Sequence, residues 1–329
     1  MKPSAAFPVS FLLLVTILLF PVASWGGGNL QKASLALQWL PQAQFAGFFV
    51  AEDKGFYIEA GLDVTLLSGG PDIVASDVLD SRKADFCTMF LSTAMERADT
   101  GMPLVNVGQL VRHSALMLLT RTDSGIRSIE DLHHRKVAMW ANEFQVQPRA
   151  LFRDHGIEVV VVPLGFSLDL FLRNAVAATM GMWYNEYHTL LSAGLREDEL
   201  QPFFFRDTDY DFPEDGIYCL RRTAEERPEV VRALVNATMQ GWEYAFAHEE
   251  EALDIVGQRM SEAGLPVNRV HQRWMLRRMR DLMTLEGSGL SPALDREVYE
   301  RVGLTLERVG FIHAAPEYDD FVRGVAHAD

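Results

Sequence analysis

The sequence predicts an α/β protein of two lobes, each a parallel-type sheet flanked by helices. Three observations lead there. Short apolar runs alternate with helical patterns from residue 35 to residue 120, the signature of a largely parallel sheet. A polar break at Asp123-Ser124-Gly125 is followed by a second unit of the same kind, from Lys136 to Tyr187. From Pro228 onward the chain reads as helix, which suits a return to the first unit. The expected division is residues 33–121 and 221–329 for the first lobe and 122–220 for the second, with crossings near Arg121–Ser124 and Ile217–Arg221.

Residues 1–25 read as a cleaved secretory signal: Lys2 gives a positive start, Phe11–Phe20 is an apolar run too short to span a bilayer comfortably, and Val22-Ala23-Ser24 puts small residues at the cleavage positions. An exported, periplasmic protein follows. In the mature chain, Leu35-Ala36-Leu37 is a strand that Pro41 stops, because proline lacks an N–H. A helix is expected from Gln44 to Glu59, with Phe45, Phe48, Phe49, Glu52 and Phe56 at helical spacing and Gly61 at its end. Trp39 and Gln42 therefore sit between a strand end and a helix start, where open α/β sheets bind ligands.

Leu62–Leu67 is the second strand. Ser68-Gly69-Gly70-Pro71-Asp72 then opens a helix running to Arg82; Gly69 and Gly70 either offer backbone N–H groups to a ligand, or simply turn tightly with Asp72 as cap. Strands follow at Asp85–Met89, Leu104–Val111 and Ala115–Thr120. In the second unit, Lys136–Trp140 is a strand leading into Ala141-Asn142-Glu143 and a helix, Glu158–Pro163 and Ala178–Met182 are strands, and Trp183-Tyr184-Asn185-Glu186-Tyr187 opens a helix. Phe203–Tyr210 and Gly216–Leu220 are extended. Arg269–Arg280 is basic and amphipathic, and reads as a solvated helix face.

Composition narrows the function. A net charge of −15 argues against nucleic acid and anionic membrane surfaces. Cys87 and Cys219 lie in apolar, strand-like surroundings and read as two buried thiols rather than a disulfide. No zinc spacing, nucleophile elbow or P-loop occurs, and His133-His134 reads as a solvated pair, so neither metal nor cofactor is expected.

The stretch Gln38–Ala51, read with Lys54-Gly55-Phe56-Tyr57, resembles the periplasmic solute-binding proteins of ABC importers, in the thiamine-pyrimidine-precursor-binding (ThiY/SsuA-like) branch that also holds the fungal enzyme making that pyrimidine. The matching residues are Trp39, Pro41, Gly47, Phe48, Phe49, Val50, Ala51, Lys54, Gly55, Phe56 and Tyr57, with further matches at Val137, Met139, Trp140, Asn142-Glu143-Phe144, Tyr184-Asn185-Glu186-Tyr187 and Glu214-Asp215-Gly216-Ile217. The loop after Trp140 lacks the family's glycines. The resemblance implies a two-lobed type II periplasmic-binding-protein (venus flytrap) fold, a small heterocycle held between the lobes, and delivery to an ABC permease with its ATPase subunit. The expected ligand-binding residues are Trp39, Gln42, Gly69, Gly70, Trp140, Asn142, Glu143, Tyr184, Asn185, Glu186 and Asp215. Aromatic faces with amides and carboxylates suit an aminopyrimidine, and without Arg or Lys they suit an anion poorly. Riboflavin, a sulfonate, or a sensing role at a membrane receptor stay open. The enzyme of the family needs a first-loop histidine and a cysteine cluster; Phe45 stands at the first position and no such cluster exists, so no catalysis is expected.

Overall fold

The computed structural model describes residues 30–140, 143–284 and 289–324; the expected signal segment, 1–25, lies outside them. Ten strands form two sheets: β1 (Gln31–Ala36), β2 (Leu62–Leu67), β3 (Phe86–Met89), β4 (Leu104–Gln109), β5 (Leu116–Arg121), β6 (Lys136–Trp140), β7 (Val160–Leu164), β8 (Ala178–Met182), β9 (Leu200–Phe204) and β10 (Gly216–Leu220). The first sheet has the order β2-β1-β3-β10-β4, the second β7-β6-β8-β5-β9.

Both sheets are mixed. β1 runs parallel to β2 and β3, and β6 parallel to β7 and β8. β10 is antiparallel to β3 and β4, and β5 antiparallel to β8 and β9. These two strands are the ones that have just crossed between sheets. A chain entering at the end where the parallel strands finish must run against them. Both are nearly continuous apolar runs, as strands covered on both faces should be.

This pairing corrects the expected division. Leu116–Arg121 belongs to the second sheet and Gly216–Leu220 to the first, so the crossings are residues 110–115 and 205–215. The break at 123–125 is a surface turn with Gly125 left-handed. The two crossings are bonded to each other: Leu110 N and Val111 N donate to the Asp215 carbonyl at 3.0 and 3.1 Å, and Glu214 N donates to the Val111 carbonyl at 3.1 Å. The first long helix also differs from expectation. It is broken into a 3-10 turn (Ala43–Phe45) and helices Ala46–Asp53 and Phe56–Glu59, because Gly55 is left-handed at φ 78°. Asp72 does not cap a helix; the next one is Ala75–Asp80, with Val74 before it.

Cys87 and Cys219 are buried and not joined. Cys87 lies opposite Tyr218 on the neighbouring strand, so Cys219, one residue on, projects from the other face of the sheet.

Helix Ala46–Asp53 lies on the twenty-residue helix Pro228–Ala247 almost backbone to backbone. A Cβ placed on Gly241 would stand 2.0 Å from the Gly47 carbonyl oxygen, and backbone cannot yield as a side chain can. Gly241→Ala is therefore expected to destabilise the protein by about 1–3 kcal/mol or more, read as a lowered midpoint in urea. An unchanged midpoint would show that the two helices separate freely.

Candidate functional site

Strands β1 and β3 of one sheet, and β6 and β8 of the other, end at the same cleft. β1 leads into Gln38 and Trp39, β3 into Phe90, β6 ends on Trp140, and β8 leads into Tyr184, Asn185 and Glu186. The parallel arrangement puts these loops together, as the switch-point rule for α/β sheets expects.

The cleft has two chambers. The inner one, about 30 Å³, has room for a water or two and is lined by Gln44, Phe90, Phe144, Met182 and Tyr184. The outer one, about 340 Å³, is bounded by Phe166, Leu265, His271 and Gln272 among others. Trp39, Gln42, Trp140, Asn185 and Glu186 line both. No Arg or Lys is among the described lining residues of either.

Aromatic rings from both lobes meet at Phe144. Its centroid is 5.7 Å from Trp39, 5.9 Å from Trp140 and 5.0 Å from Phe90, edge-on or tilted. Trp39 also meets Phe166, at 5.9 Å across the cleft mouth. Phe166 is 65% exposed, an apolar ring left in water at the rim.

The polar groups form two connected sets. In the wall, Glu186 accepts from Met182 N at 2.8 Å and from Asn185 Nδ2 at 2.9 Å. Burial pushes its carboxyl up to about 7. In the floor, Gln42 Nε2 donates to Gln44 Oε1 at 2.7 Å, and Gln44 Nε2 donates to Asp215 Oδ2 at 2.8 Å. Gln38 Nε2 donates to the other Asp215 oxygen. Burial raises Asp215 to about 7, against the two glutamine bonds. Burial first, then the negative field of Asp215, Glu214 and Glu186, raises the Tyr184 hydroxyl well above its usual range.

Of the expected ligand residues, Trp39, Gln42, Trp140, Tyr184, Asn185 and Glu186 line the cleft. Asp215 does not reach either chamber; it is buried beneath Gln44 and joins the floor to the hinge. Gly69 and Gly70 line neither chamber. Gly69 backs onto the end of β1, where an added Cβ would stand 2.3 Å from the Leu37 carbonyl oxygen, and its N–H donates to the Trp39 carbonyl at 3.1 Å. It shapes the Trp39 loop from behind. Asn142 lies outside the described residues, and Glu143 is placed only by its backbone, which opens the 3-10 turn Glu143–Gln145.

Sequence reasoning missed Phe90, Gln44 and Phe166. Phe90 and Phe166 obey the rule that found Trp39, since each follows a strand end and precedes a helix. His271 and Gln272 come from a helix far along the chain and carry no local signal.

The model of the family described as "NMT1/THI5 like" matches residues 42–252 of this chain. A riboflavin-binding protein of Chloroflexus aurantiacus is 24% identical over 249 residues, 72% of this chain and 69% of that protein. A formylaminopyrimidine-binding protein of Halalkalibacterium halodurans is 23% identical, over 72% of this chain and 73% of its own length. A 4-amino-5-hydroxymethyl-2-methylpyrimidine phosphate synthase of Legionella pneumophila is 21% identical, over 72% and 76%. Among solved structures, the periplasmic aliphatic sulphonate binding protein SsuA of Escherichia coli superposes with a TM-score of 0.67 at 14% identity, over 88% of this chain and 91% of that one. The two-lobed architecture is thus a periplasmic-binding-protein fold.

Proposed function

This chain belongs to the NMT1/THI5-like family, and from that premise we propose that it is an exported solute-binding protein that takes up a small, flat heterocycle of the aminopyrimidine class between its lobes and hands it to an ABC permease and ATPase. One observation carries the choice of ligand class. The cleft pairs aromatic walls from both lobes with an amide and carboxyl side by side, Asn185 and Glu186, and offers no cationic side chain among its described lining residues. A ring can lie against Trp39 or Trp140 while its amino group donates to Glu186. A sulfonate or phosphate would lack a charged partner there.

Binding rather than catalysis is favoured by Phe45. Where the synthase of the resembling branch has its first-loop histidine, this chain has a phenylalanine sealed in the core against Phe48 and Phe49, at 6.4 and 6.5 Å.

The test is a thermal-shift panel of aminopyrimidines, thiamine, riboflavin, taurine and nitrate on the mature protein. A ligand at a hundredfold its Kd stabilises by about 2.7 kcal/mol, a readable shift. Trp39→Ala and Glu186→Ala should each weaken aminopyrimidine binding by about 1–3 kcal/mol in calorimetry, with both variants still folded. A shift with taurine alone would overturn the electrostatic reading. A riboflavin shift alone would move the ligand to the class bound by the Chloroflexus relative. Unaltered affinity in both variants would remove the site assignment.

A further inference from the structure

Helix Arg269–Met283 stands against the first lobe. Its Gln272 Oε1 accepts from Ala43 N at 2.7 Å, and its Arg273 and Arg277 pair with Glu249 of helix Glu249–Glu262 at 3.3 and 2.9 Å. From there it reaches over to the second lobe. His271 Nδ1 lies 2.9 Å from His188 Nδ1 on helix Glu186–Ser192, and Trp274 Nε1 donates to the Trp183 carbonyl at 3.0 Å.

The bond from Asn185 to Glu186 orients the hydrogens of the histidine pair. Asn185 Nδ2 donates to Glu186 Oε1, so Asn185 Oδ1 is an acceptor only, and His271 Nε2, 2.9 Å away, must carry a hydrogen. Neutral His271 then accepts at Nδ1, and His188 Nδ1–H donates to it. One added proton can be placed on His188 Nε2 without breaking this bond. A second proton sets N–H against N–H across 2.9 Å, and the contact fails.

The surroundings do not welcome charge. Neither histidine makes an ion pair among the described residues. On helix Glu186–Ser192, Glu186 is held off by Asn185, and Ser192 and Tyr187 are neutral. On helix Arg269–Met283, Arg269 and Arg273 answer to Glu250 and Asp254, and Arg278 answers to Asp281 while lying 4.9 Å over the Trp274 ring that stacks on His188. Burial lowers His271 to about 4, with His188 opposing it further, and burial lowers His188 as well.

We propose that His188 and His271 form an acid-released latch between the lobes, holding the cleft closed at neutral pH and opening it when both rings are protonated. The idea rests on the binding-protein reading, since it is that cleft which opens. Because Asn185 ties His271 to Glu186 in the cleft wall, opening would also release the wall carboxyl from its cross-lobe support.

The sign follows from the direction of the shifts. A histidine whose pKa is lower in the closed form than the usual 6.5 favours closure above 6.5 and ceases to do so as pH falls toward about 4. The ratio of closed to open molecules should fall about tenfold or more across that window. The experiment is small-angle scattering of the ligand-free mature protein across that window, with far-ultraviolet circular dichroism to verify that it stays folded. The wild type should gain radius of gyration as pH falls, and His271→Gln should keep one radius throughout. Side-chain histidine NMR on the wild type supplies the second measurement: His188 and His271 should titrate with the midpoint of the expansion. A constant wild-type radius with intact dichroism would overturn the latch, as would equal expansion in His271→Gln or imidazole midpoints remote from it. No ligand enters this test, so a silent thermal-shift panel leaves its outcome independent.

Discussion

Glu214→Leu is expected to destabilise the protein by about 3–5 kcal/mol, the largest loss from any single change at the hinge. Glu214 is buried, and its Oε1 accepts from Ser114 Oγ at 2.9 Å, Ala115 N at 2.7 Å and Leu116 N at 3.0 Å. Those three donors start the strand that enters the second sheet. Leucine fills similar space but accepts nothing, so Ser114 Oγ and Ala115 N would lose this acceptor and Leu116 N would keep only its 3.2 Å bond to Ser114 Oγ. Glu214→Gln keeps a carbonyl oxygen there and should cost about 1 kcal/mol. Urea unfolding of the two variants tests this. If leucine fell within 1 kcal/mol of glutamine, the crossing strand would have to be held by something other than Glu214.

Stability is also expected to rise as the solution is acidified from about pH 8.5 to about pH 5, by about 1–3 kcal/mol. Burial, helped by Asp215, raises Glu214 to about 8, and burial raises Asp215 to about 7. A carboxyl raised above its unfolded value contributes stability that is fully present below the unfolded pKa and lost as pH rises through the folded one. Geometry agrees with a proton on Asp215: Gln38 Oε1 lacks a donor among the described residues, and with its amide turned about it would accept from the protonated carboxyl. Asp215→Asn should therefore flatten the alkaline part of a melting-temperature profile while keeping acid-side stability within about 1 kcal/mol of wild type. A profile in Asp215→Asn that still falls steeply through pH 7 would place the titration elsewhere. Because the two carboxyls interact, the profile reports on the pair rather than on either alone.

Below pH 6.5, the usual histidine value, the lowered histidines act the other way and offset part of the gain that acidification brings.

Much of the fold was legible in local pattern. β2, β6, β8 and β10 occupy the runs expected for them; the strand-end rule put Trp39 and Gln42 at the cleft, and the family resemblance added Trp140 and Tyr184. Two things were not legible. One was sheet membership: β4 and β5 are both apolar runs, and only hydrogen bonding across space assigns β5 to the second sheet. The other was depth. Asp215 and Glu186 look alike in sequence, as carboxylates in loops, yet one faces the cleft and the other lies under its floor, because Gln44 intervenes.

The sequence by itself determined the alternation of strand and helix, the two-lobed class, the aromatic-amide-carboxyl character of the loops and that Phe45 stands in place of a first-loop histidine. Periodicity and turn chemistry are local, so one dimension carries them. Tertiary structure alone decided where the chain crosses, that Gly69 shapes a loop from behind rather than facing the cleft, that Gln38 and Gln44 converge on a buried Asp215, and that His188 meets His271 83 residues away. Those facts depend on which distant backbone segments come within a few ångströms, and no pattern within a single segment encodes that distance.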